Sequence, residues 1–322
     1  MAELGYNAHG KGRVRVVKVT RHANGMEDVL QLNVKLLLEG EIMADGFKSG
    51  DNSTVVATDT CKNTVYCLAK MHDFQSIEEF GLIICKHFLS EYPDFVNKIS
   101  VEIVQDRWER ITSPDSRGNM ALHKHAFLRK GPNRPYVHAQ GSRNPNDRTV
   151  ALTLQAGVTG LEIMKTTQSG FSGFHRDRFT SLPEVGDRLV GTSVSAEWSY
   201  NAKAIDNVQN IDFKQIHAKI EEQFVNTFAG PSDTGIFSNS VQQTMYEMGE
   251  ASLKTVQYID DITMEMPNIH NIAFDLTRYG FDPDPPGVSP TIFFPIDEPH
   301  GIIRATIERK HLKKSPIARS RL

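Results

Sequence analysis

The residues best suited to chemistry in this chain stand between Leu161 and Arg188, LEIMKTTQSGFSGFHRDRFTSLPEVGDR. Leu161, Ile163 and Lys165 alternate with Glu162, Met164 and Thr166 as on a strand, and hydroxyl residues follow. Phe171, Phe174 and Phe179 come next, broken by Gly170 and Gly173. Glycines between aromatics interrupt regular structure and let a ring stand clear of the backbone. Arg188 closes the stretch with a fork of donors suited to a planar oxyanion. A ring to stack on and a fork to grip with suit a flat, acidic heterocycle. The competing reading is a strand, a loop and a buried aromatic cluster, since aromatics usually belong to the core.

Other positions have the same double character. Lys11 sits between Gly10 and Gly12, so its amine is reachable and its backbone can bend; the alternative is a solvated lysine before a strand. A lysine desolvated in a pocket has a lowered pKa and can accept a proton. Thr58-Asp59 follows a short apolar run, and both residue types favour caps and turns. Asn268 and His270 share one face if both lie on a strand, and a histidine is suited to moving protons. Gln242, after Val241 at a helix start, offers both a donor and an acceptor to the edge of a ligand. It reads equally as a surface glutamine. His123-Lys124-His125 could turn two imidazoles towards a metal from one strand face. No acidic or cysteine partner stands at a convincing spacing, so no metal is expected.

The elements that must position these residues can be read in outline. RVRVVKV at 13–19 alternates, Asn24-Gly25 turns, and Leu32, Val34, Leu36 and Leu38 alternate again, which makes a long hairpin. Lys62 to Met71 reads as a helix. Ser76-Ile77-Glu78-Glu79 is a capping box opening a second helix, with Ile77, Phe80, Ile84 and Phe88 on one face and Tyr92-Pro93 at its end. Ile99, Val101, Ile103 and then Trp108 make a strand, and residues 118–129 return beside it. Residues 131–147, GPNRPYVHAQGSRNPND, read as an exposed loop or linker.

After it the pattern begins again. Val150, Leu152 and Leu154 alternate, and Ala156-Gly157 turns. Val194, Ala196 and Trp198 form a strand, and 211–228 and 238–254 have helical spacing. Residues 256–266 and 271–277 form a hairpin around Pro267-Asn268. DPDPPGVSP is a loop, and Ile302 to Ile307 is a last strand. The order of strands, two helices and strands, given twice, predicts an α+β protein with two antiparallel sheets, each backed by a helix pair. The expected modules are 1–143 and 144–322.

Composition bounds the rest. At 322 residues two domains are the prior, and 39% hydrophobic with 23% charged residues is ordinary for a globular chain. A net charge of −3 argues against nucleic acid as a partner. No apolar run approaches the roughly 20 residues that cross a bilayer, and no secretory signal is visible. Cys61, Cys67 and Cys85 are an odd number without CxxC spacing and read as buried thiols of a reducing compartment. There is no G-x-G-x-x-G and no P-loop, so nothing argues for a nucleotide cofactor.

The spacing of Lys165-Thr166-Thr167, Ser169, Phe171, Phe174, Phe179, Leu182 and Arg188 resembles the signature of the urate oxidase (uricase) family. GKGRVRVVKV, VVATDTCKNTVY, SVQQTMYEM, MPNIH and the terminal Ser320-Arg321-Leu322 resemble it too, in the same order along nearly the whole chain. The chain departs from the strict signature at Ile163 and Met164.

The resemblance implies tandem tunnelling-fold (T-fold) modules, a barrel completed by two chains, and a homotetramer enclosing a tunnel. It implies oxidation of urate by O2 without flavin, haem, copper or any other cofactor. It makes Lys11, Thr58 and His270 a catalytic relay. It assigns urate contacts to Thr58, Asp59 through its backbone, Phe171, Arg188, Val241 and Gln242, and an oxygen or water contact to Asn268. Leu182 and Ile303 would line the pocket. Ser320-Arg321-Leu322, after a basic tail, is a conservative variant of the S-K-L peroxisomal address and implies an import receptor as partner. Two other classes stay open: a pterin-acting T-fold enzyme, which would call for a zinc set in the cyclohydrolase case, and a non-catalytic purine-binding tetramer, which would lack one of Lys11, Thr58 or His270.

Overall fold

The computed structural model describes residues 2–282, 290–296 and 298–310. The chain divides into two compact units, Met1–Leu161 with Tyr200–His217, and Glu162–Ser199 with Ala218–Leu322. In the first unit, β1 (His9–Arg21) and β2 (Glu27–Glu39) form the expected hairpin, with Gly25 at φ 80 in its turn. Leu30, Leu32, Val34, Leu36 and Leu38 all point into the core. A short α1 (Ala44–Lys48) precedes the helices α2 (Thr58–Met71) and α3 (Ile77–Glu91).

Ser76 caps α3 by accepting from the Glu79 N–H at 3.1 Å, while the Glu79 carboxylate accepts from the Gln75 N–H at 2.9 Å. Ile77, Phe80, Ile84 and Phe88 are buried, each contributing about 1.5–3 kcal/mol by leaving water. The helix ends at Tyr92, where Pro93 cannot continue it.

Five strands then complete the first run: β3 (Lys98–Asp106), β4 (Trp108–Pro114), β5 (Met120–Arg129), β6 (Arg134–Arg143) and β7 (Val150–Lys165). β1, β2, β3, β6 and β7 neighbour one another in that order, each pair antiparallel. Trp108 does not extend β3; it opens β4, which pairs with β5 as a separate two-stranded ribbon.

The second run comprises β8 (Val190–Tyr200), α4 (Ala202–Asp206), α5 (Phe213–Ala229), α6 (Val241–Thr255), β9 (Ile259–Ala273), β10 (Phe293–Ile296) and β11 (Ile302–Glu308). The architecture is therefore α+β, with strands, helices and strands given twice. Residues 200–217 belong with the first unit for a visible reason. The Glu78 carboxylate, 1% exposed, accepts from Tyr200 OH at 3.0 Å and lies 2.7 Å from His217 Nε2.

Five further expectations are corrected. Residues 131–147 are not a linker: β6 lies between β3 and β7, with Pro135, Val137, Ala139 and Gly141 on its buried face. Its small residues read as breakers but serve packing, because α3 presses on them. A Cβ on Gly141 would lie 2.6 Å from Leu89 Cδ1 and 3.2 Å from Leu152 Cδ2. Ala156-Gly157 is no turn, since β7 runs through it with Gly157 opposite Tyr136. α2 starts at Thr58 rather than Lys62, so Thr58-Asp59-Thr60 is its first turn. Pro267-Asn268 is no hairpin, since β9 runs straight through and two short strands cover its halves, β11 on Asp261–Pro267 and β10 on His270–Ala273. The proline's missing donor is tolerated where one partner strand stops and the next begins. Finally, Cys61 and Cys85 are buried but Cys67 is exposed.

The loop DPDPPGVSP lies mostly, and the terminal tripeptide wholly, outside the described residues. Among the described residues no helix is long and apolar enough to cross a membrane.

If β6 is a helix-backed strand, Gly141→Val should overpack it and cost about 1–3 kcal/mol in urea unfolding. An unchanged midpoint would return this segment to an exposed loop.

Candidate functional site

The first group of candidate residues lies in the first unit, at the start of β1. Gly10 opposes Leu37, and a Cβ there would fall 1.9 Å from the Leu36 carbonyl oxygen, so only glycine permits this approach. The ladder then slips between Lys11 and Val14, where Arg13 takes φ 56. Lys11 stands at this bulge on a strand that, among the described residues, pairs only with β2. It is half-buried.

His9 Nε2 meets the Val56 carbonyl oxygen at 2.9 Å and so ties this end of β1 to the segment entering α2. The N-cap, Ala57, offers no side-chain acceptor, so the first-turn N–H groups of α2 remain open beside the exposed Thr58. A helix N-terminus with open N–H groups attracts anions. Asp59 turns its carboxylate along the helix to Lys62 at 2.5 Å and Asn63 at 2.9 Å. The Lys62 hydrogen bond is the main reason its pKa lies below the usual carboxylate value, and the charge of Lys11 adds to the effect. Asp59 therefore presents backbone rather than side chain at the helix mouth, and Lys11 is close enough to act on it.

The second group lies in the second unit. Phe171 and Val185 exchange backbone hydrogen bonds at 2.8 and 3.1 Å, and Phe174 stacks on Phe171 with centroids 4.9 Å apart at 9°. The Arg188 guanidinium lies 5.6 Å from the Phe171 ring centre. Its Nε is buried and, among the described residues, has no hydrogen-bond partner, and burial lowers its pKa. The neighbouring Asp187 does not neutralise it. Its carboxylate binds the Thr167 hydroxyl and accepts from the Ser169 N–H at 3.3 Å. Phe179 is 77% exposed and takes no part in this stack.

Ser169 bridges Ser238, and the Gly170 N–H donates to the Ser238 carbonyl at 2.9 Å, so the Phe171 segment is stitched to the chain entering α6. Ser240 caps α6 by accepting from the Gln243 N–H at 3.1 Å. Val241 and the exposed Gln242 occupy the first turn, and among the described residues the Gln242 amide makes no hydrogen bond. Ser169, Val190, Thr192, Ser238, Val241, Thr244 and Met266 surround a small pocket behind this turn. On β9, Asn268 Nδ2 lies 3.3 Å from His270 Nδ1, so the two side chains do share a face. Ile303 pairs with Met266, and Leu182 is half exposed with its carbonyl accepting from Arg176 at 3.0 Å.

The sequence-read residues thus fall into two groups. Lys11, Thr58 and Asp59 meet in the first unit; Phe171, Arg188, Val241, Gln242, Asn268 and His270 belong to the second. The first group holds an amine, a hydroxyl and open backbone donors. The second holds a ring, an uncompensated guanidinium, an amide and an imidazole. His123 and His125 pack ring on ring in β5 with centroids 4.7 Å apart. Among the described residues no three His, Cys, Asp or Glu side chains cluster to hold a metal. Sequence reasoning gave no role to Lys165 or Ser238, which join the elements of the second group; their polarity in a half-buried strand and at a helix entry was the signal available.

A family model described as Uricase matches residues 7–140 and 154–304. The chain is 36% identical over 312 residues to a uricase of Dictyostelium discoideum, covering 97% of this chain and 99% of the relative. It is 39% identical over 305 residues to a uricase of Arabidopsis thaliana, covering 94% of both. The solved uricase of Arthrobacter globiformis superposes with a TM-score of 0.82 at 36% identity, covering 98% of each chain.

Proposed function

The chain belongs to the uricase family, and on that premise we propose that it oxidises urate with O2 to 5-hydroxyisourate and hydrogen peroxide, without a cofactor. The observation that carries the reading is the buried Arg188 Nε without a partner, beside the Phe171 ring. A half-buried guanidinium that has no carboxylate partner among the described residues suits an anionic ligand. Urate is a planar anion with oxygen and N–H groups on opposite edges. Arg188 would hold one edge bidentately, Gln242 would read the opposite edge, and Phe171 would stack beneath the ring. Val241 and the backbone at Asp59 would complete the contacts, with Leu182 and Ile303 lining the pocket.

Lys11, Thr58 and His270 would draw a proton from bound urate and leave an electron-rich dianion. The dianion gives one electron to O2, and recombination forms a peroxide at C5 near Asn268. Loss of hydrogen peroxide leaves an oxidised ring, and water then adds at C5. Urate, O2 and water thus become 5-hydroxyisourate and hydrogen peroxide, in balance. The chain supplies positioning, electrostatics and proton movement.

The assembly follows from the same division. Lys11 and Thr58 lie in one unit and Arg188 and Gln242 in the other, and among the described residues the 13-residue β1 leaves one edge open, with Val17 and Val19 exposed. A bare edge invites pairing with another chain. We propose a homotetramer of barrels around a tunnel, in which a two-fold contact sets the first module of one chain against the second module of another. Ser320-Arg321-Leu322 would direct it to peroxisomes through the import receptor, where catalase removes the peroxide.

Arg188→Lys should raise KM for urate at least about tenfold, about 1.4 kcal/mol, with a normal unfolding curve. A KM within about threefold would remove the clamp assignment. Inactive Lys11→Met and Arg188→Ala chains, co-assembled, should regain activity from sites with both residues intact; mixed tetramers no more active than their parents would put the pocket in a single chain. A fluorescent fusion with a free C-terminus should concentrate in peroxisomes, and a diffuse cytosolic signal would refute the address.

A further inference from the structure

Lys165, the last residue of β7, spends all three donors of its ammonium inside the second unit. Nζ donates to Ser238 Oγ at 2.7 Å, to the Ile236 carbonyl at 2.9 Å and to the Phe228 carbonyl at 3.3 Å. It also lies 5.1 Å from the Phe228 ring centre. Phe228 is in the last turn of α5, where the carbonyls carry the negative end of the helix dipole and favour a cation. Burial lowers the pKa of this amine, opposed by the charges of Asp187 and Glu247.

Of the three acceptors, Ser238 leads towards the proposed clamp. Ser238 Oγ also accepts from Thr244 Oγ1 at 2.9 Å, in the opening of the helix that bears Gln242. The Ser238 backbone donates to the Gln168 carbonyl and accepts from the Gly170 N–H, both at 2.9 Å, one residue before Phe171. The Ser169 carbonyl in turn accepts from the Arg188 N–H at 2.7 Å. The ring, the fork and the amide are therefore coupled through one ammonium.

We propose that Lys165 is the positioning residue of the urate clamp: it fixes Phe171, Arg188 and the Val241–Gln242 helix start in a single geometry. The proposal rests on the clamp reading given above. A lysine that only held the fold would lower stability when removed and leave the affinity of folded protein alone. A positioning lysine changes ligand affinity in protein that is still folded, because a small misplacement of the clamp is felt by every contact.

The test compares wild type with Lys165→Met, which keeps the chain length and removes charge and donors. Three quantities are read: Kd for a non-oxidisable azaxanthine, KM and kcat for urate, and the melting temperature. The expected result is a rise of about tenfold or more in both Kd and KM, with a smaller fall in kcat and a cooperative melt. A lowered melting temperature with Kd within about twofold of wild type overturns the proposal. If Lys165→Met does not fold, Ser238→Ala decides the matter. It removes one of the three acceptors, and a raised Kd supports the coupling while an unchanged Kd overturns it. The two readings fail separately. A wild type that neither binds the azaxanthine nor oxidises urate sinks the function, whereas an active wild type beside a Lys165→Met chain of unchanged Kd sinks only the role of Lys165.

Discussion

A guanidinium held half out of water with no carboxylate to answer it is the constraint on which the second unit turns. Burying a charge is costly unless something of opposite sign completes it. Here Asp187 is one residue away and is already engaged by Thr167 and Ser169, so Arg188 stays uncompensated. The Arg188 N–H is tied to Ser169, and Phe174 holds the Phe171 ring in the plane the guanidinium approaches. In the proposed clamp this cation would gain its counter-charge from the ligand, and the flat ring beside it would favour a planar anion.

The first unit exposes its polar groups by different means. Glycine at position 10 lets two strands close to a distance that no side chain would permit, and the slip that follows frees Lys11 from strand alternation. The same strand end grips Val56 through His9, so amine and helix mouth are set by one local contact. An uncapped helix start is locally unfavourable. At Ala57 it leaves donors open beside Thr58 instead of closing them with a cap. Among the described residues both units thus leave polar groups unsatisfied at the candidate positions, and satisfy such groups elsewhere, as Glu78 does with Tyr200 and His217.

Much of this was legible in the residues. Alternation along β2 and β8 and the capping box before α3 gave elements that the structure contains, because there local preference and burial agree. Asn268 and His270 were readable as a pair because a strand has period two. Three of the failures share one cause. Gly141, Gly157 and Pro267 look like punctuation, but in each case a long-range partner overrides local preference. α3 needs a small residue at 141, β6 pairs at 157, and at 267 β9 passes from one partner strand to another. Nothing local in the sequence shows a helix lying on a strand. Lys165 stood in the signature, but its partners were unreadable for the same reason: its acceptors lie 63 to 73 residues away.

The central claim is that these side chains alone suffice to turn urate and O2 over. Its most direct test mixes chelator-treated protein, with metal content checked, with urate in air while ultraviolet absorbance and dissolved O2 are followed together. The account predicts loss of the urate band with O2 consumed and hydrogen peroxide formed in equal amounts, at a rate unchanged by added metal or flavin. Urate that persists in metal-free protein and disappears only when a metal or flavin is restored would contradict it.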